Sequence, residues 1–92
     1  MENTKTAFSL GQVVITVSAQ AVLTPEDIHN ALVRHLSRDW GDVCLEDRKA
    51  NYEALDCEGR LFSVYHSQEG TRFWVITEAD RSATTLLLPE DY

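Results

Sequence analysis

The sequence predicts an α+β fold: a strand, two helices, then a three-strand antiparallel meander, with the helices packed on one face of the sheet. Three observations carry this expectation. A β-branched run follows Gly11, a capped helical repeat follows Thr24, and the last third of the chain alternates apolar and polar side chains. At 92 residues and 43% apolar content the chain fits one compact domain over residues 1–92, with residues 1–8 expected as a flexible N-terminus.

Each element has its own warrant. Gln12-Val13-Val14-Ile15-Thr16-Val17 is rich in β-branched residues and reads as the first strand, with a short helical turn over Ala19–Leu23. Thr24 suits a helix cap, Pro25 the first helical position, and Asp27 the reciprocal capping position three residues on. Ile28, Ala31, Leu32, His35 and Leu36 then form one apolar stripe, and Gly41 marks the expected stop. A second helix is expected over Glu46–Leu55, with Leu45, Tyr52 and Leu55 facing inward. Arg60–Ser67, Arg72–Thr77 and Ala83–Leu88 read as the meander, separated by polar turns at Ser67–Thr71 and Glu78–Arg81 and ended by Pro89.

Composition excludes several functions. Fifteen acids against eight bases give a net charge of −7, which argues against phosphate-dominated nucleic-acid binding and against an anionic membrane surface. The acidity is regional: Asp39–Glu58 holds seven acids and two bases, or −5 of the total. Apolar runs such as Leu86–Leu88 are far too short to span a bilayer, and Met1–Ser9 has no apolar core of a secretory signal. A cytoplasmic chain with reduced Cys44 and Cys57 is the expectation. No metal-ligand spacing joins His29, His35 and His66, and no glycine-rich phosphate loop or nucleophile elbow is present, so neither a cofactor nor a metal is expected.

Two stretches stand out as interaction candidates. Around the second helix lie Asp39, Trp40, Asp42, Glu46, Asp47 and Glu53, suited to a basic protein partner; the plain alternative is a solvated face, with Trp40 closing the edge of the core. The turn Glu78–Ser82 offers Glu78, Asp80 and Arg81, suited to acid–base chemistry or to a phosphate-bearing ligand; the plain alternative is a self-bonded turn with Arg81 paired to Glu78. Phe62, Tyr65, Phe73 and Trp74 read as cross-strand pairs with one face in the core.

The run Trp74-Val75-Ile76-Thr77-Glu78-Ala79-Asp80-Arg81-Ser82, with Thr84-Thr85 and Leu87-Leu88-Pro89-Glu90-Asp91-Tyr92, resembles a family of small bacterial proteins encoded on plasmids and other mobile elements. Gly11-Gln12-Val13-Val14, Asp39-Trp40-Gly41-Asp42, Asn51, Ala54-Leu55 and Gly59-Arg60-Leu61 extend the resemblance over nearly the whole chain. It implies a genomic setting and no chemistry. Clustered acids without catalytic spacing are what point to a non-enzymatic accessory protein, or to an anti-defence inhibitor using an acidic surface, that binds a protein and not nucleic acid or membrane. A homo-oligomer formed through a sheet edge is compatible with it. The element order also resembles the interferase toxins of toxin–antitoxin systems, which would assign RNA cleavage to Arg60, His66, Arg72 and Arg81; the acidity opposes that reading.

Overall fold

The computed structural model describes residues 8–92 and bears out the α+β class, with the helices packed against a four-stranded sheet. The elements are β1 (Gln12–Ile15), α1 (Val17–Val22), α2 (Pro25–Leu36), α3 (Leu45–Cys57), β2 (Leu61–His66), β3 (Arg72–Thr77) and β4 (Ala83–Leu87). A 3-10 turn over Pro89–Asp91 closes the chain. Sheet order is β1-β4-β3-β2. The β2–β3–β4 meander is antiparallel as expected, whereas β1 joins the far side of β4 in parallel, so the sheet is mixed. Among the described residues no helix is long and apolar enough to cross a membrane.

Local chemistry explains the best-anticipated element. Thr24 caps α2 by accepting from the Asp27 N–H at 3.0 Å, while the Asp27 carboxylate accepts from the Thr24 N–H at 3.2 Å. The same carboxylate accepts from the Gln68 N–H at 3.1 Å, tying the start of α2 to the β2–β3 loop. Burial alone would raise the Asp27 pKa, but these hydrogen bonds outweigh it and hold the carboxyl below its usual range. The helix ends at Leu36, because Arg38 adopts a left-handed φ of 66°. Gly41, expected as the helix stop, serves elsewhere.

Residues paired across strands share a face. Tyr65 and Phe73, then Ser63, Val75, Leu86 and Ile15, lie on the side covered by α1 and α2, where Ala19, Leu23 and Ala31 complete the main core. The opposite side carries Phe62, Ile76, Thr85 and Val14, and Val64, Trp74 and Leu87. Helix α3 runs beside the outer edge of β2. There Asn51 donates to the Phe62 carbonyl at 2.7 Å and accepts the Phe62 N–H at 3.0 Å. The loop before α3 continues the seal: Val64 N–H donates to Trp40 O at 3.0 Å, and Asp42 N–H to Val64 O at 2.8 Å. Gly41 makes this possible, since a Cβ there would lie 1.9 Å from the Val64 carbonyl and its φ is +74°. The β2 edge is therefore closed.

Three further expectations need correction. Leu45 (71% exposed) does not face inward, and Tyr52 (47%) stays half-exposed while packing T-shaped against Trp40 at 5.9 Å; the buried stripe of α3 is Asn51 and Ala54, with Leu55 partly buried. The strand over Gln12–Val17 stops at Ile15, because Thr16 accepts the Ala19 N–H and starts α1. Of the expected flexible N-terminus, residues 1–7 lie outside the described residues, while Phe8 packs edge-on against His35 at 5.2 Å and lies over Trp40.

Candidate functional site: a groove on the aromatic face

Four polar side chains form a buried relay beneath Phe8. His35 Nδ1 lies 2.6 Å from Ser63 Oγ, His35 Nε2 lies 2.9 Å from Thr77 Oγ1, and Thr77 Oγ1 lies 2.7 Å from Thr84 Oγ1. Thr84 donates its single proton to the Leu10 carbonyl at 2.7 Å. Each hydroxyl has one proton, so the direction of the chain follows. Thr77 donates to Thr84, His35 Nε2–H donates to Thr77, and Nδ1 accepts from Ser63. His35 is thus the neutral Nε2–H tautomer, and burial, aided by the Arg81 charge, pushes its pKa down to about 4. The Ser63–His35 spacing has the dimensions of a nucleophile and its base, yet all four side chains are fully enclosed, so no substrate reaches them. The relay holds α2 to the sheet.

The turn candidates are also structural. Arg81 Nη1 donates to the carbonyls of Gly59 (2.6 Å), Glu78 (3.1 Å) and Ala79 (3.2 Å), and Nη2 to Ala54 O (3.0 Å). The guanidinium therefore ties the end of α3 to the β3–β4 turn through backbone carbonyls, rather than pairing with the Glu78 carboxylate. Asp80 accepts the Ser82 N–H at 3.0 Å, and hydrogen bonds from the Ser82 side chain and backbone keep its carboxyl below the usual range. Trp40 is 3% exposed, so it is a core residue and presents no surface anchor. Asp39 pairs with Arg34 at 2.7 Å, which holds its carboxyl below the usual range.

The remaining candidates meet on the face opposite α1 and α2. Two concavities, of about 320 and 470 Å³, share Asp47, Phe62 and Trp74 and so form one groove. Its floor is Phe62 and Trp74, packed edge to face at 5.1 Å, with Val64 and Ile76 beside them. One wall is Asp42, Val43, Cys44 and Asp47; Arg60 and Tyr92 stand at one end and Arg72 at the other. Asp42 also approaches His66 at 3.3 Å, beside Arg72 in the register. The indole N–H groups of Trp74 and of core Trp40 are both enclosed and have no acceptor among the described residues. Glu46 and Glu53 lie exposed on α3 outside the groove, and Glu78, Asp80 and Arg81 do not line it.

Asp42 and Asp47 are thus the sequence candidates that the fold brings to a shared surface. The floor was missed as a site because Phe62 and Trp74 read equally well as cross-strand pairs. Alternation told which side chains share a face, but not that one of those faces has no helix across its aromatic pair. Among the described residues no three His, Cys, Asp or Glu side chains group as metal ligands, and Cys44 and Cys57 are free thiols. Of the residues the toxin resemblance points to, Arg81 is held by carbonyls and Arg60 lies over Tyr92, while His66 and Arg72 are neighbours. Comparison with family models, with curated proteins and with solved structures finds no match.

Proposed function

We propose that this chain is a small non-enzymatic accessory protein of a plasmid or other mobile element, and that it binds a protein partner in the Phe62–Trp74 groove. The observation that carries the reading is an aromatic floor of Phe62 and Trp74 beside an acidic wall. Such a surface suits an apolar side chain flanked by basic residues. Enclosure of Ser63 and His35, and use of Arg81 by backbone carbonyls, favour binding over catalysis. The plasmid setting rests on the sequence resemblance.

A narrower reading, an anti-defence inhibitor that occupies a basic nucleic-acid-handling protein, is favoured by Glu46 and Glu53, which add exposed acidic charge on α3 beside the groove. Immobilised wild-type and Trp74→Ala protein, exposed to extract of a bacterial host, test the proposal. A partner retained by wild type and lost with Trp74→Ala supports the groove; a partner held equally by both overturns it. Release of that partner by Glu46→Lys, Asp47→Lys and Glu53→Lys together, or by added salt, supports the inhibitor reading.

A further inference from the structure

The two edges of the sheet are treated in opposite ways. The β2 edge is sealed by Asn51 and by the Trp40–Asp42 loop, whereas β1 has β4 on one side and, among the described residues, no other strand on the other. Gln12 N–H donates to Ser82 O at 3.0 Å and Thr16 N–H to Leu86 O at 3.1 Å, so the peptide groups of Gln12, Val14 and Thr16 face β4. By the two-residue repeat of a strand, those of Val13 and Ile15 face outward. Open edges of this kind pair with other strands unless blocked by charge, proline or a bulge.

The edge strand carries no charged residue of its own; the Asp91 carboxylate, accepting from Thr16 Oγ1 at 2.7 Å and Ser18 Oγ at 2.6 Å, stands only at its C-terminal end. Twenty consecutive residues, Thr6–Pro25, contain no Asp, Glu, Lys or Arg, although a quarter of the chain is charged. The same stretch supplies Val13 (45% exposed), Val14 (42%), Val17 (85%) and Val22 (44%), four of the eight large apolar side chains exposed among the described residues.

We infer that β1 is a self-association surface: a second copy of this chain lays its own Gln12–Ile15 antiparallel alongside, making a continuous eight-stranded sheet across a two-fold axis. Charge selects that occupant. Two copies at −7 repel at most approaches, and an uncharged edge lets them meet with least repulsion, whereas a basic partner is drawn to the acidic α3 side instead. The pairing is self-complementary. With Val14 on the axis, Val13 of each copy exchanges both peptide hydrogen bonds with Ile15 of the other, and the two Val14 side chains meet in a close cross-strand pair. Val17 then lies opposite Gly11 of the second copy, where no side chain obstructs it.

Sedimentation equilibrium of the full chain tests this independently of the groove. The expected mass is twice 10.4 kDa, with association tightening as salt screens the repulsion. Val14→Lys sets two ammonium groups together at the axis, and Val17→Lys, at a largely exposed position, charges the end of the same edge. Each is expected to give a 10.4 kDa species with unchanged circular dichroism, while Glu46→Lys leaves the dimer intact. A wild-type chain that stays at 10.4 kDa up to roughly 1 mM, or a dimer that survives both lysine variants, overturns the inference.

Discussion

Mild acidification tests the buried relay directly. His35 is held neutral in the folded chain with a pKa of about 4, against 6.5 for an unhindered imidazole. A depressed histidine pKa means that the unfolded chain binds the proton first. The stabilisation is therefore complete above pH 6.5, declines as pH falls below it, and is fully lost below about 4. The whole shift corresponds to about 3 kcal/mol at roughly 1.4 kcal/mol per unit. Between pH 7.5 and 5, above the window where carboxylates titrate, the expected loss is about 2 kcal/mol. For a domain of this size that lowers the melting temperature by roughly 8–16 °C. Urea unfolding at pH 7.5, 6.5, 5.5 and 5.0 (pH values chosen to bracket the range) measures it, and nitrogen-detected NMR of the His35 ring reports the tautomer separately. A protonated Nε2 with bare Nδ1 persisting to about pH 5 is expected. A midpoint flat over this range, a His35 ring that titrates near its unhindered value, or the opposite tautomer would refute the reasoning.

Other side chains give sharper single-site expectations. Asn51→Ala removes both hydrogen bonds to the Phe62 peptide and is expected to cost about 2–3 kcal/mol, read as a lower urea midpoint. Arg81→Ala should destabilise by about 2 kcal/mol, and Arg81→Lys should not restore the loss, because an ammonium cannot span the Ala54 and Gly59 carbonyls from two nitrogens; full stability in either variant contradicts the clasp. Gly41→Ala forces a methyl into the Val64 carbonyl and should lower the melting temperature by at least the roughly 4–8 °C that 1 kcal/mol represents, whereas Gly70→Ala, where nothing lies within 4 Å, should cost less.

Legibility in the sequence followed the range of the interactions. The start and buried stripe of helix α2 were readable because its cap, proline and apolar residues are all local; its end was not, since it stops at Leu36 and not at Gly41. His35 could be placed on that stripe, but its partners Ser63 and Thr77 lie 28 and 42 residues away and leave no local pattern. Helix α3 misled because an Asn, not a leucine, is its anchoring residue: Asn51 is buried for its hydrogen bonds to the β2 edge, so Leu45 is left outward and Tyr52 reaches only the edge of the core at Trp40. The parallel partner of β1 was likewise hidden, since alternation gives a strand its faces and not its neighbour. Regional acidity did lead to Asp42 and Asp47. It could not show that they stand beside an aromatic floor, because Phe62 and Trp74 acquire that role only when α1 and α2 take the other face.

The central claim is that this groove receives a protein, and the two tryptophans separate it cleanly. Trp74 lies on the groove floor, whereas Trp40 is sealed in the core against Phe8 and His35. Fluorine NMR of the chain labelled at both tryptophans should give two resonances. On addition of the captured partner, the Trp74 resonance is expected to shift and saturate with the partner while that of Trp40 stays in place. A saturating complex in which Trp74 does not move would contradict the account.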